Sequence, residues 1–124
     1  MPFIAKQIDH VEVLVQDLAA AARWYRDVLG LEEIVRWDPE PVMIGAGGTK
    51  LALFQADGSA RKDPGDAPHW HRTAWQTDAS GLREAQEHLR SLGIAFRGPI
   101  DHGVAESIYF TDPDGNPLEI TYYK

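Results

Sequence analysis

The chain has 124 residues, of which 44% are hydrophobic and 25% charged, and this composition fits one compact globular domain or two very small ones. Its formal net charge of −7 leaves no basic stripe for binding nucleic acid, and the absence of cysteine excludes disulfides, thiolate metal sites and a cysteine nucleophile. No apolar run approaches the ~18 residues of a membrane-spanning helix, so we expect a cytoplasmic protein that does not associate with membranes.

The first half of the chain predicts a strand, a helix and then three more strands. Residues 8–17 alternate between a valine face and a face that carries His10. Asp17 is a good N-cap for the following helix, and Gly30 is placed to end that helix in a left-handed conformation. The segments LEEIVRW, PVMIGA and KLALFQ then have strand character, separated by Asp-Pro and Gly-Gly breaks.

The second half repeats this order after a segment of turn-forming residues at 56–68, which we interpret as a surface linker. Residues 70–78 predict a strand and residues 79–93 a helix. The predicted apolar stripe of that helix is Leu82, Ala85, Leu89 and Leu92. The segments IAFRGPI, SIYFTD and PLEITYY predict three strands, with DPDGNP as a hairpin turn between the last two.

Matching markers indicate that the two halves are a duplication. His10 and His71 lie 61 residues apart, and so do the two cap residues Asp17 and Asp78. A half of about 60 residues buries too little surface to be comfortably stable alone, so the two halves should share a core.

The predicted fold is therefore α+β. It consists of two paired βαβββ modules, at 1–55 and 69–124, joined by the linker 56–68 into a single domain. Their curved mixed sheets should surround a cleft, with the helices outside.

Three residues are candidates for a metal site in this cleft. Strand alternation places Glu119 and Tyr109 away from the apolar faces of the last two strands. His10 and His71 hold equivalent positions near the start of each module's first strand, and His71 alternates with Thr73 and Trp75. Two imidazoles and a carboxylate suit a divalent transition metal. The alternative is that both histidines are ordinary strand residues and Glu119 is merely solvated.

The repeat provides three ligands rather than four. Aligning Gly48 with Gly115 puts Ala52 where the second module has Glu119. Three protein ligands leave coordination positions open for substrate, as catalytic metals require.

Three segments, DHVEVLVQDLAAAARWYRDVLGLE, HRTAWQTD and DHGVAESIYFTDPDGNPLEITYY, resemble the vicinal-oxygen-chelate superfamily of glyoxalases, extradiol dioxygenases and bleomycin-resistance proteins. The resemblance implies paired βαβββ modules and a homodimer. It also implies metal ligation by His10, His71 and Glu119, with the metal acting as a Lewis acid on two adjacent oxygens of a small substrate.

The last of these segments looks most like the extradiol dioxygenases, which implies Fe²⁺ or Mn²⁺ as the metal. In that branch Tyr109 would hydrogen-bond the substrate, and His102 would be the acid–base residue. Two alternatives stay open. One is another metalloenzyme of the family, a glyoxalase or lyase, an isomerase or a thiol transferase, for which Zn²⁺, Ni²⁺ or Co²⁺ is suited. The other is a drug-binding resistance protein without catalysis.

Overall fold

The computed structural model describes residues 3–57, 65 and 67–124. The chain divides into two compact units, Met1–Ala60 and Arg61–Lys124, and each has the element order βαβββ. The α+β class and the two βαβββ modules are thereby confirmed. Most of the predicted linker, at 58–64 and 66, lies outside the described residues.

The first unit is a four-stranded mixed sheet with one helix. Its strands have the order β1-β4-β3-β2, with β1 and β4 parallel and the other neighbours antiparallel. The elements are β1 (Val11–Val15), α1 (Leu18–Leu29), β2 (Glu32–Arg36), β3 (Val42–Ala46) and β4 (Thr49–Gln55).

Helix α1 begins and ends where its capping residues predict. The Asp17 side chain accepts a hydrogen bond from the Ala20 backbone N–H at 3.0 Å, which satisfies one of the unpaired donors of the first turn. Gly30 has φ 71°, and its N–H donates to the Arg26 carbonyl, a left-handed ending that glycine adopts without steric cost.

The second unit repeats this architecture with the strand order β5-β8-β7-β6, in which β5 and β8 are parallel. Its elements are β5 (Thr73–Gln76), α2 (Ala79–Ser91), β6 (Arg97–Asp101), β7 (Ala105–Thr111) and β8 (Pro117–Tyr123). Among the described residues of both units, no helix has the length and apolar character needed to cross a membrane.

Helix α2 packs on β8 and β7, and its stripe of buried apolar side chains is shorter than predicted. Leu82 and Leu89 are buried, as expected. Leu92 is 47% exposed, because the helix ends at Ser91 and the chain turns away at its C-cap. The prediction that Leu92 belongs to the buried stripe is therefore wrong.

The second sheet has two chemically different faces. Its apolar face, which α2 covers, carries four large buried hydrophobic side chains of β7 and β8 that pair directly across the two strands, Ile108, Phe110, Leu118 and Ile120. We call the opposite surface the Glu119 face. The alternation of side chains along β7 and β8 separates the two.

The turn between β7 and β8 is held by a structural carboxylate. The buried Asp112 side chain accepts hydrogen bonds from the backbone N–H groups of Asp114 and Asn116 and from the Asn116 side chain, at 2.8–2.9 Å. These bonds fix the approach of β8 to β7, and hence the position of Glu119 on its strand.

Candidate functional site

One row of residues crosses all four strands of the second sheet on the Glu119 face. Ala74 pairs with Glu119, Glu119 with Tyr109, and Tyr109 with Arg97. Residues paired in register point to the same side of a sheet, so strand pairing places a carboxylate, a phenol and a guanidinium side by side.

The fold brings together Tyr109 and His102, two of the candidate site residues. The His102 Nε2 atom lies 2.6 Å from the Tyr109 hydroxyl oxygen, and the two rings meet edge to face at 6.2 Å between centroids. This hydrogen bond links the end of β6 to the middle of the Glu119 face. The pair can hold or pass a proton at the Tyr109 oxygen.

The loop that carries His102 is fixed by several contacts. The His102 N–H donates to the Ala105 carbonyl at 2.8 Å, and the Gly103 N–H donates to the Asp101 carboxylate at 2.7 Å. Lys124 forms an ion pair with the same carboxylate at 2.9 Å. Hydrogen bonding, first of all from Lys124 and then from Gly103, lowers the pKa of Asp101, so that this anchor is ionised at neutral pH.

Glu119 is half-buried on this face, and no side chain of the described residues donates a hydrogen bond to its carboxylate or forms an ion pair with it. A partly desolvated carboxylate without a partner is available to a ligand, because its oxygen lone pairs are not used within the protein. This is the strongest local feature in favour of Glu119 as a ligand.

Two arginines, which the sequence did not single out, complete the Glu119 face. The guanidinium carbon of Arg72 lies 4.7 Å from the centroid of the Tyr109 ring, and that of Arg97 lies 4.9 Å from it. Both distances are within cation–π range. The one signal in the sequence was the spacing of two residues between Arg72 and Ala74, which is the spacing of side chains on one side of a strand, although Arg72 itself precedes β5.

His71 lies in front of β5 and not within it, because the strand begins at Thr73. Its exposed ring meets the His69 ring edge to face at 5.7 Å between centroids.

The register of β5 with β8 also contradicts the prediction that Thr73 and Trp75 share a face with His71 in the cleft. Thr73 and Trp75 pair with Leu118 and Ile120 and so belong to the apolar face. Alternation with these two residues therefore gives no reason to place His71 beside Glu119.

His10 also precedes its strand, in the first unit, and two carboxylates surround it. Its Nδ1 lies 2.9 Å from an Asp9 oxygen, and its Nε2 lies 3.3 Å from a Glu12 oxygen. Hydrogen bonding, chiefly to Asp9 and then to Glu12, raises the pKa of His10. Asp9 is itself held by Lys50 at 3.1 Å. A carboxylate on one ring nitrogen fixes the orientation of the imidazole, an arrangement common around metal-ligating histidines.

The predicted ligands thus come from both units, with His10 in the first and His71 and Glu119 in the second. Within either unit, the described residues contain no group of three His, Cys, Asp or Glu side chains arranged to hold a metal ion.

Comparisons with known proteins point to one family. The model of the Glyoxalase/Bleomycin resistance protein/Dioxygenase superfamily matches residues 7–120. The chain is 32% identical over 120 residues to biphenyl-2,3-diol 1,2-dioxygenase 2 of Rhodococcus globerulus, an alignment that covers 90% of this chain and 60% of that protein. It is 26% identical over 122 residues to the iron-dependent extradiol dioxygenase of Rhodococcus jostii, covering 92% of this chain and 38% of that protein.

A solved structure shows the same fold on a protein of different activity. Lactoylglutathione lyase from Agrobacterium tumefaciens matches with a TM-score of 0.76 at 25% identity, covering 95% of this chain and 94% of that one. In contrast, the chain spans less than two thirds of the length of either Rhodococcus dioxygenase. The relatives thus include both dioxygenases and a lyase.

Proposed function

Because the chain belongs to the Glyoxalase/Bleomycin resistance protein/Dioxygenase superfamily, we propose that it is a metal-dependent enzyme that binds a small substrate through two neighbouring oxygens. The leading reaction is ring-cleaving dioxygenation of a catechol-like compound. The observation that carries this proposal is the Glu119 face. There a carboxylate that no side chain of the described residues hydrogen-bonds stands beside the hydrogen-bonded pair Tyr109 and His102.

The donor set has the chemistry that a divalent transition metal requires. His10, His71 and Glu119 would be the ligands, and two imidazoles with one carboxylate suit Fe²⁺ or Mn²⁺. Asp9 contacts Nδ1 of His10, and Nε2 would bind the metal in place of its present contact with Glu12. The Glu119 carboxylate forms no hydrogen bond or ion pair with a side chain of the described residues. When bound, the metal supplies Lewis-acid stabilisation of the substrate oxygens.

The remaining side chains would orient the substrate and move its proton. The Tyr109 hydroxyl would accept a hydrogen bond from the substrate hydroxyl and donate its own proton to Nε2 of His102. When the substrate ionises, its proton would pass to the Tyr109 oxygen as the Tyr109 proton passes to Nε2, and the restored Tyr109 hydroxyl would then donate to the substrate oxyanion. The contacts that pin the His102 loop favour this role, because they hold the imidazole in place before substrate arrives.

A second candidate function is binding of a ligand without turnover, as in the resistance branch of the family. The observation in its favour is that Arg72, and not His71, lies against Tyr109 on the Glu119 face. A third candidate, another metalloenzyme of lyase, isomerase or transferase type, is supported by the likeness to the Agrobacterium lyase. Zn²⁺, Ni²⁺ or Co²⁺ would then replace iron or manganese.

Elemental analysis of protein purified without added metal tests this proposal. We expect a stoichiometric transition metal in the wild type and its loss in His71→Ala and Glu119→Gln. His69→Ala is the matched control, because it removes an exposed imidazole two positions from His71 and should keep the metal. Wild-type protein that carries no metal and cannot be loaded with one would exclude the metalloenzyme and favour the binding protein.

Oligomeric state is part of the same proposal. Members of this family pair their modules within or between chains, and we propose a homodimer, to be checked by light scattering coupled to size-exclusion chromatography.

A further inference from the structure

The two arginines beside Tyr109, Arg72 and Arg97, differ from two arginines elsewhere in the chain that form ion pairs. Arg26 pairs with Asp27 and Arg36 with Glu33. Among the described residues, neither Arg72 nor Arg97 has a carboxylate within ion-pair distance, although acidic side chains outnumber basic ones in this chain.

Both guanidinium groups lie within 5 Å of the centroid of one aromatic ring. Bringing two cations to one ring is electrostatically unfavourable unless an anion compensates them. Each guanidinium also carries five N–H donors in a planar fork, which matches the oxygens of a carboxylate or phosphate group.

The position of the pair relates it to the rest of the site. Arg97 is next to Tyr109 in the cross-strand row, and Glu119 is the neighbour on the other side. With about 4.8 Å between adjacent strands, the backbone positions of Arg97 and Glu119 are about 10 Å apart. A ligand held at Glu119 could therefore reach the arginines with a second polar group carried on a single ring.

We propose that Arg72 and Arg97 form an oxyanion subsite, and that the substrate is a catechol-like compound bearing an anionic arm, most simply a carboxylate. This inference rests on the proposed function for the chelating end of the substrate. Binding of the anionic arm of the substrate requires only the two arginines and the Tyr109 ring that positions them.

Calorimetric titration with a matched pair of probes tests the subsite. The first probe is 3,4-dihydroxyphenylacetate, and the second is its neutral methyl ester. We expect the acid to bind the wild type about a hundredfold more tightly than the ester, the value of two hydrogen-bonded charge pairs of about tenfold each. Arg72→Gln and Arg97→Gln should each weaken acid binding about tenfold and leave ester binding unchanged.

Two control variants make the test specific. Arg83→Gln removes the same charge from an exposed position on α2, which packs on the apolar face, and should not alter acid binding. Arg72→Lys keeps the charge without the planar fork and should bind the acid with intermediate affinity. Circular dichroism of each variant establishes that it is folded. The subsite would be overturned if the wild type bound acid and ester equally well. It would also be overturned if Arg83→Gln and Arg72→Gln lost equal affinity for the acid.

The two proposals fail in different ways. If the protein carries metal and binds the ester in a metal-dependent manner but shows no preference for the acid, the subsite is refuted and the metalloenzyme stands. If it carries no metal but binds the acid through the arginines, the subsite stands and the metalloenzyme is refuted. Competition by phenyl phosphate that exceeds competition by phenylacetate would support the subsite with a phosphate-bearing ligand.

Discussion

A buried hydroxyl pair on the Glu119 face allows a quantitative test of how β7 and β8 are held together. Ser107 and Thr121 pair across the two strands, two residues along from Tyr109 and Glu119, and are 1% and 8% exposed. The Ser107 hydroxyl donates to Thr121 Oγ1 at 2.8 Å, and Thr121 Oγ1 donates to the Glu106 carbonyl at 3.3 Å.

This chain of donors predicts that two single substitutions have unequal effects. Thr121→Val removes the acceptor of the Ser107 hydroxyl, which stays buried and unpaired, and should lower the free energy of unfolding by about 1–3 kcal/mol. Ser107→Ala leaves Thr121 with its carbonyl acceptor and should lower it by only about 0.5–1.5 kcal/mol. In the double variant neither hydroxyl remains, so its loss should be about 1 kcal/mol less than the sum of the single losses.

Urea unfolding of the four proteins, followed by circular dichroism, measures these free energies. Chelator should be present throughout, because a metal bound only by the folded state would raise its apparent stability. A larger loss for Ser107→Ala than for Thr121→Val would refute the direction of the hydrogen bonds. If the losses of the two single variants add up to the loss of the double variant within ~0.5 kcal/mol, the two hydroxyls are not coupled and the prediction is refuted.

Three further predictions concern the site and the second unit. Tyr109→Phe, which removes the hydroxyl bonded to His102, should lower the rate of oxygen uptake with a catechol by about 10²-fold or more while metal content is unchanged; an unaltered rate would remove Tyr109 from the mechanism. The pKa of Asp78 is lowered, chiefly by the Gly81 backbone N–H, so the stability it contributes should be complete at neutral pH and lost as pH falls below about 4. Asp78→Asn should therefore flatten the acid limb of a pH titration of stability followed by circular dichroism, and an identical acid limb would contradict this. Leu89→Ala, at a position 1% exposed, should lower the free energy of unfolding in urea by about 2–5 kcal/mol, and a loss below ~1 kcal/mol would mean that α2 is not packed as described.

Arg72 and Arg97 could not be predicted as site residues from the sequence, because their positions depend on strand pairing. Arg97 faces Tyr109 only through the pairing of β6 with β7, and that pairing shifts register between Arg97 and Ile100. A bulge of this kind changes which residues oppose one another. Gly98 and Pro99 mark the position of the bulge in the sequence, but they do not show that Arg97 will face Tyr109. Arg72 precedes β5, and its contact with Tyr109 depends on the parallel register that pairs Ala74 with Glu119, because a slip of one residue would exchange the two faces of β5.

Features set by neighbours along the chain followed from the sequence alone. The caps Asp17, Gly30 and Asp78 locate both helices, because a cap bonds to backbone groups only three or four residues away. The duplicated βαβββ order followed from the same local patterns. His102 and Tyr109 were each named as candidate site residues from the family resemblance, and the fold brings the two within 2.6 Å.

Tertiary structure alone decided which side chains join Tyr109 and Glu119 on the Glu119 face. That face is assembled from four strands whose pairings join residues far apart in sequence, so its composition depends on register and not on local preference. The result is that Arg72 and Arg97 lie beside Tyr109, whereas His71 lies ahead of its strand.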